Sequence, residues 1–379
     1  MNLQDKFEKV FGILRGSCTK EEKEIYFMEG LRKDAEKIKA AKKIILCGAT
    51  PFAKNVLKNR ELLFADDVNI TIEDFGQAQV SIPQDCLFIL CSRPNIGRHL
   101  KYLENIREEN IVSYQLLLIL EPGYSVNPYA YQYKKIVEQV QDIIGYADDY
   151  YNIFSNLEDK KSKDIFMRMV LFRLTYDYRM NYGNASNYVQ YFDKEIISFG
   201  EEEIFVDCGG YLGDTLEDFQ TVAHNHFKKY YFFEPDKKLF DAAKKAGDER
   251  VVYINKGVWE SRTTLYFKEE TSAGNGRLIG RGGVELGAIE IPVTNLDAEV
   301  PEATFIKMDV EGSELMALKG AKDLIKRCKP KLAICIYHKY EDVRVLYDFI
   351  NTLGAYKIYL RAETDNADIE LYYLCVPRE

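Results

Sequence analysis

Apolar and polar positions along the chain follow two different periods, and the changes between them divide it into four segments. Residues 1–41 carry apolar side chains at helical spacing with charges between them, which predicts N-terminal helices. Residues 42–125 contain short apolar runs separated by turns, which predicts a small α/β domain. Helical spacing returns over residues 126–200 with many interleaved tyrosines, which predicts a Tyr-rich helical connector. Residues 201–379 again alternate short apolar runs with helical stretches, so we expect a larger α/β domain there.

The order of the predicted strands in the last segment indicates its fold. Short apolar runs alternating with helices are typical of a doubly wound, Rossmann-like parallel sheet. The last two runs, residues 355–361 and 369–376, have no helix between them and predict an antiparallel final strand pair. Such a pair usually ends the sheet of class I methyltransferases, and dehydrogenases usually lack it. The small domain over 42–125 is also Rossmann-like, but its glycine signature keeps only Gly48, which favours a structural or partner-binding role over a nucleotide site.

Composition narrows the classes of function. The chain has 379 residues and a formal net charge of −9, so we expect no nucleic-acid partner. No apolar run approaches the roughly 18 residues of a membrane span, and residues 1–20 have no apolar signal core. The eight cysteines show no metal-binding spacing, and we interpret them as free thiols of a cytoplasmic protein. Homo-oligomer formation is left open by the sequence.

The stretch from Ile204 to Thr215 is the strongest candidate for a binding site. It has the pattern of an apolar strand ending in Asp207, a turn with three glycines, and the start of a helix. A carboxylate at the strand tip would repel a dinucleotide pyrophosphate, whereas S-adenosylmethionine carries an amino cation and a sulfonium and no phosphate. We therefore expect S-adenosylmethionine as the cofactor. The residues of this stretch assigned to it are Asp207, Gly209, Gly210, Gly213, Asp214 and Thr215.

A second acid at a strand end supports the same cofactor. Residues 230–233 form an apolar run that ends in Glu234 and Pro235, at the distance expected for the next strand. A carboxylate there can accept hydrogen bonds from both ribose hydroxyls. The loop after the third strand flanks the cofactor's base in this fold, which adds Lys256 and Gly257 to the predicted cofactor-binding residues.

Two side chains at neighbouring strand ends are candidates for removing a proton from a methyl acceptor. Asp309 ends the predicted fourth strand and is assigned to the cofactor site as well, and His338 follows the fifth strand. A histidine–carboxylate pair can hold a neutral imidazole near its working pKa. The fourth strand is followed by Asp-Val-Glu-Gly instead of the Asn-Pro-Pro-aromatic turn typical of amine methylation, which favours a hydroxyl acceptor.

We expect that no metal ion is required at these strand ends. The rival hypothesis is that Asp309, Glu311 and His338 hold a divalent cation that lowers the pKa of the acceptor hydroxyl. Acids also suit the first turn of a helix, and we favour this capping role for Glu314 while leaving Glu311 open. A further alternative is that His338 is a satisfied strand-end residue without a role in catalysis.

Five stretches of the C-terminal half occur in an order and spacing that resemble a known family. They are residues 206–215, Phe233-Glu234-Pro235, residues 293–297, residues 305–314 with their Lys-x-Asp-x-Glu-Gly-x-Glu box, and residues 318–321. Together they resemble the FkbM family of S-adenosylmethionine-dependent methyltransferases. The resemblance implies an O-methyltransferase, which in this family often acts on sugar hydroxyls of polysaccharides or on secondary metabolites. The chain departs from the family pattern in two places. Gly210-Tyr211 stands where members usually have Ala-Asn, and Tyr337-His338-Lys339 stands near the end of the fifth strand, where members often have an acid.

Two other classes of function remain open from the sequence. One is an NAD-type dinucleotide-dependent oxidoreductase that uses the glycine turn, which Asp207 and the final strand pair disfavour. The other is a non-catalytic nucleotide-binding protein, which the acids at Asp207, Glu234 and Asp309 disfavour. Titration with S-adenosylhomocysteine against NAD separates the oxidoreductase from the methyltransferase.

Overall fold

The computed structural model describes residues 2–74, 85–91, 96–121, 133–181, 183, 187–244, 248–269, 276–280 and 289–378. The chain forms two compact units. The first comprises Met1–Asn156, Lys160–Ala185 and Ala362–Glu370, and the second comprises Leu157–Asp159, Ser186–Arg361 and Leu371–Glu379. Each unit is therefore discontinuous in the sequence, and the segment between the last two strands of the chain belongs to the first unit.

The first unit contains nine helices and four strands among its described residues. The helices are α1 Leu3–Leu14, α2 Lys20–Ala40, α3 Pro51–Lys58, α4 Arg60–Leu63, α5 Ile96–Tyr102, α6 Gln115–Leu120, α7 Tyr133–Gly145, α8 Ala147–Asn156 and α9 Lys160–Thr175. The strands are β1 Lys43–Cys47, β2 Asn69–Glu73, β3 Leu87–Leu90 and β4 Ile111–Ser113. None of the helices described in either unit combines the length and apolarity needed to cross a membrane.

The strands of the first unit form one parallel sheet in the order β2-β1-β3-β4. β3 is buried along its whole length, as expected for a parallel sheet whose two faces are both covered. The sheet confirms the small, Rossmann-like α/β arrangement that the sequence predicted. A buried ion pair lies in this unit as well: Arg173 of α9 donates to Asp368 at 2.7 Å, and both side chains are almost completely enclosed.

The helices of the predicted Tyr-rich connector end earlier than the sequence suggested. They stop at Thr175, and the described residues between that point and β5 contain only a short 3₁₀ turn at Tyr178–Asn181. Tyr176 and Tyr191 adopt left-handed backbone conformations, with φ of 46° and 68°. A right-handed helix cannot continue through such residues.

The second unit supplies the remaining elements. Its strands are β5 Ile204–Cys208, β6 Lys229–Phe233, β7 Val251–Ile254, β8 Gly257–Val258, β9 Thr263–Glu269, β10 Gly276–Gly280, β11 Ile289–Thr294, β12 Phe305–Met308, β13 Lys331–Cys335, β14 Tyr356–Ala362 and β15 Leu371–Pro377. Its helices are α10 Asp214–Val222, α11 Lys237–Ala243, α12 Leu296–Glu299, α13 Glu314–Lys319, α14 Lys322–Cys328 and α15 Asp342–Leu353.

Seven of these strands form the main sheet, in the order β14-β15-β13-β12-β5-β6-β7. β5, β6, β7, β12 and β13 run parallel, and β15 pairs antiparallel with β13. The class I methyltransferase sheet expected from the sequence is therefore confirmed. The order places β5 between β6 and β12, so the carboxyl ends of these strands meet at one edge of the sheet, where ligands of doubly wound folds bind.

Aromatic side chains fill the space beneath this edge. The rings of Phe205 on β5 and Phe305 on β12 stack with their centroids 4.7 Å apart, and Phe219 of α10 packs edge-on against Phe205. All three are fully buried. Phe205 and Phe305 lie near the amino ends of β5 and β12, so this packing fixes the register of the two central strands from the end opposite the binding edge.

Candidate functional site

The glycine turn after β5 is built so that a side chain would not fit in it. Gly209 and Gly210 both donate their amides to the carbonyl of Phe233, at 3.0 and 2.9 Å. A Cβ on Gly209 would lie 1.9 Å from the carbonyl oxygen of Asp309, and one on Gly210 would lie 2.2 Å from the ring of Phe232. Gly209 also has a φ of 85°, which L-residues rarely adopt. The turn therefore presents bare backbone at the edge of the sheet.

Glu234 lies beside this turn and is oriented by backbone donors. Its Oε2 accepts the amide of Tyr211 at 2.9 Å, and its Oε1 accepts the amide of Asp236 at 2.8 Å. The side chain is 6% exposed, and this burial raises the pKa of Glu234 to about 7. Each carboxylate oxygen keeps a second lone pair for a further donor.

Asn255, directly after β7, braces the same strand end. Its side-chain amide donates to the carbonyl of Glu234 at 2.8 Å and to that of Pro235 at 3.2 Å. The sequence analysis did not single out Asn255. Its position immediately after an apolar strand was the available signal.

Asp207 is enclosed in the sheet. Its side chain is 0% exposed, and it accepts the hydroxyl of Tyr230 at 2.7 Å. Lys307 of β12 lies 3.1 Å away and also donates to the carbonyl of Gly209 at 2.6 Å. We expected Asp207 to face the cofactor. In the structure it is instead linked to the glycine turn by Lys307, which contacts both Asp207 and the carbonyl of Gly209.

Lys307 itself was missed as a site residue. Burial alone would lower the pKa of Lys307, but the carboxylates of Asp207 and Asp309 raise that pKa well above its ordinary value. The buried ammonium is therefore charged. A buried cation that bonds both the strand-end acid and the carbonyl of Gly209 fixes the shape of the turn.

The remaining predicted cofactor residues lie either at the start of α10 or in and beside β8. Gly213 precedes α10 with a φ of 86°, and Asp214 and Thr215 form the first residues of that helix. Lys256 instead directs its ammonium to Glu299 at 2.8 Å, and Gly257 lies buried in β8. The structure therefore brings the residues of 207–215 and Glu234 together, but the side chain of Lys256 is engaged elsewhere.

Asp309 and His338 meet at the same edge of the sheet. The amide of Asp309 donates to the carbonyl of Cys208 at 3.0 Å, which sets Asp309 directly beside the glycine turn. Its Oδ2 accepts the hydroxyl of Tyr191 at 3.0 Å, and its Oδ1 lies 3.4 Å from Nε2 of His338. Burial opposes ionisation, but Lys307 and His338 together hold the pKa of Asp309 below its ordinary value.

Three carboxylates surround His338. Burial favours the neutral ring, but Glu314, Asp309 and Glu311 raise the pKa of His338 to about 10. As long as no other cation lies among them, the three carboxylates therefore favour the protonated ring over the neutral base expected from the sequence.

Glu314 has a different role from the expected helix cap. It begins α13, but its Oε1 accepts the amides of Val310 and Gly312 in the preceding loop, at 3.0 and 3.3 Å. Its side chain is fully buried, and Oε1 lies 2.9 Å from Nδ1 of His338. One oxygen of Asp309, one of Glu314 and one nitrogen of His338 lie within 4.8 Å of one another, close enough to share a metal ion.

Comparisons with known proteins show what this chain is similar to. Residues 207–358 match the family model described as the methyltransferase FkbM domain. The fold is similar to the crystal structure of the methyltransferase FkbM from Methylobacillus flagellatus KT, with a TM-score of 0.66 and 20% identity, covering 98% of this chain and 99% of that one. A putative rRNA-methylase from Clostridium thermocellum superposes with a TM-score of 0.32 and 11% identity over 47% of this chain and 87% of its own. No curated protein matches the sequence.

The matched region begins at Asp207 and contains the glycine turn, Glu234, Asp309 and His338. Residues 207–358 therefore match the methyltransferase FkbM domain, and the chain shares the fold of an FkbM methyltransferase of known structure.

Proposed function

We propose that this chain is an S-adenosylmethionine-dependent O-methyltransferase that acts on a hydroxyl of a sugar, a polysaccharide or a secondary metabolite. The observation that carries the cofactor assignment is the bare glycine turn with Glu234 held beside it by the amide of Tyr211. The free lone pairs of Glu234 suit two ribose hydroxyls. When bound, S-adenosylmethionine supplies a methyl group already activated by the sulfonium.

On the acceptor side, the chain's own residues orient the hydroxyl and remove its proton. Asp309 lies beside the turn with a 23% exposed side chain, which makes it more accessible than His338 at 9%. The hydroxyl of Tyr191 donates to one oxygen of Asp309, and the ring of His338 lies 3.4 Å from the other. We assign proton removal to Asp309 and orientation of Asp309 to His338, because alignment and deprotonation are the two tasks that methyl transfer leaves to the protein.

The direct test uses S-adenosylhomocysteine and NAD in calorimetric titrations of the whole protein. We expect S-adenosylhomocysteine to bind and NAD not to bind. Methyl-labelled S-adenosylmethionine, offered with a panel of hydroxylated sugars and glycans, should then transfer label to a hydroxyl. Binding of NAD without S-adenosylhomocysteine would overturn the proposal in favour of the oxidoreductase.

The Glu234→Gln variant should weaken S-adenosylhomocysteine binding by about 1–3 kcal/mol, because a neutral amide replaces a carboxylate that accepts charge-assisted hydrogen bonds. Glu203→Gln is the matched control: Glu203 is an equally buried acid, but it lies before β5, where it bonds Thr304 and Lys331. The affinity of the Glu203→Gln variant for S-adenosylhomocysteine should equal that of the wild type. Equal affinities in wild type and Glu234→Gln would remove Glu234 from the site.

The affinity should also depend on pH. The pKa of Glu234 is raised to about 7 in the free protein, so its carboxylate is mostly protonated at pH 6 and mostly ionised at pH 8. Because the ionised form is the better acceptor for ribose hydroxyls, affinity for S-adenosylhomocysteine should rise with pH, by up to about tenfold between pH 6 and 8. The rise should disappear in Glu234→Gln; its persistence there would assign it to another group.

A further inference from the structure

The cluster of Asp309, Glu314 and His338 contains buried polar atoms that have no hydrogen-bond partner. Oδ1 of Asp309, Oε2 of Glu314 and both ring nitrogens of His338 are buried and make no hydrogen bond. The contact between Nδ1 of His338 and Glu314 is short, but it lacks hydrogen-bond geometry. Buried polar atoms without partners are rare in native proteins, and a group of them in one cluster indicates a missing ligand.

Charge points to the kind of ligand. Asp309, Glu311 and Glu314 bring three carboxylates to His338, at 3.4, 3.6 and 2.9 Å from its ring nitrogens. The imidazole can contribute at most one positive charge, and the nearby ammonium of Lys307 is engaged by Asp207 and the carbonyl of Gly209. Glu314 is fully buried and Asp309 half-buried, and one imidazole does not neutralise both carboxylates, so the cluster has room for further positive charge.

We infer that Asp309, Glu314 and His338 bind a divalent cation of the Mg²⁺–Mn²⁺ class. Their three ligand atoms lie within 4.8 Å of one another. A cation with bonds of about 2.0–2.6 Å holds ligands up to about 4–5 Å apart, so little movement is needed. The two carboxylate oxygens suit both Mg²⁺ and Mn²⁺, and the imidazole nitrogen favours Mn²⁺, the transition-metal ion of the two.

This set differs from the rival considered from the sequence alone, because Glu314 takes the place of Glu311. Glu314 is fully buried and is held in position by the amides of Val310 and Gly312. Glu311 is 39% exposed and lies with Asp309 on the open side of the cluster. A cation would therefore be reached from the side where we propose that the acceptor binds, and there it would lower the pKa of an acceptor hydroxyl.

The inference rests on the same side chains as the proposed function, but its test measures binding alone. The full-length protein is stripped with EDTA, dialysed and titrated with Mn²⁺, and free Mn²⁺ is followed by electron paramagnetic resonance. We expect one Mn²⁺ per chain with a dissociation constant below about 0.1 mM. His338→Gln and Glu314→Gln should each weaken binding at least about tenfold, and Glu203→Gln should bind as the wild type does.

Pulsed resonance of bound Mn²⁺ provides a second measurement that needs only the wild type and His338→Gln. Modulation by a directly bound imidazole nitrogen should appear in the wild type and be absent in the variant. The chain has only four histidines, which limits other sources of that signal. Absence of stoichiometric binding, or bound Mn²⁺ without the nitrogen modulation, would overturn the inference.

The two proposals can fail separately. If Mn²⁺ binds and S-adenosylhomocysteine does not, the cofactor assignment falls and the cation site stands. If S-adenosylhomocysteine binds and Mn²⁺ does not, the methyltransferase proposal stands with proton removal by side chains alone.

Discussion

Replacing Asp309 by asparagine should lower methyl-transfer turnover by about 10²–10⁴-fold, the usual range for loss of a general base. The variant keeps the shape of the side chain and its contact with Tyr191 but loses the charge that accepts the hydroxyl proton. The measurement is steady-state transfer of labelled methyl to the acceptor found in the sugar panel. Calorimetry on the same preparation should give an affinity for S-adenosylhomocysteine close to that of the wild type, since the glycine turn and Glu234 are unchanged. This result would remove the side chain of Asp309 from the cofactor-binding residues that the sequence analysis assigned.

His338→Ala separates the roles of the two residues. The sequence analysis made His338 a candidate base beside Asp309. If His338 is the base, its loss should cost about 10²–10⁴-fold in turnover with the cofactor affinity unchanged. If His338 only orients Asp309, the loss should be smaller than that of Asp309→Asn. Near-normal turnover in Asp309→Asn would refute our assignment of proton removal.

Replacing Lys307 by methionine should reduce the free energy of unfolding of the C-terminal unit by about 3–5 kcal/mol, because it leaves the carboxylate of Asp207 buried without its cation. The pair is enclosed, with side-chain exposures of 3% and 0%, so solvent screening does not weaken the effect. Trp259 is the only tryptophan and packs in this unit, so its fluorescence during urea unfolding reports on the right part of the chain.

Lys256→Met is the matched control, since that lysine forms an ion pair with Glu299 but is 38% exposed. Exposed pairs contribute about 0–1 kcal/mol, and the control should lose no more than that. The double variant Asp207→Asn with Lys307→Met should recover part of the loss, because no buried charge is left unpaired. A Lys307→Met variant as stable as the control would contradict the role we give to this pair.

The architecture of the C-terminal unit could be predicted because local pattern and overall fold agree. The short apolar runs that end in Asp207, Glu234 and Asp309 are typical of buried strands. The carboxyl ends of such strands meet at one edge of a parallel sheet. The glycine turn could be predicted as well, since backbone conformation and close approach leave only glycine there.

The contacts between side chains of the site could not be predicted, because they join residues that are distant in the sequence. Lys307 reaches back to Gly209, 98 positions earlier, and Tyr191 reaches Asp309 across 118 positions. Periodicity shows that such residues are buried but does not show which polar groups they meet. For the same reason Glu314 was interpreted as a local helix cap, although its carboxylate faces His338.

The pairing of Arg173 with Asp368 imposes an order of events during synthesis of the chain. The two residues belong to the first unit but are 195 positions apart. At ribosomal rates of about 5–20 residues per second, Arg173 leaves the ribosome about 10–40 seconds before its partner. During that interval its guanidinium can stay hydrated, but it cannot be buried beside this carboxylate. The N-terminal unit therefore completes its core only after nearly all of the methyltransferase domain has been translated.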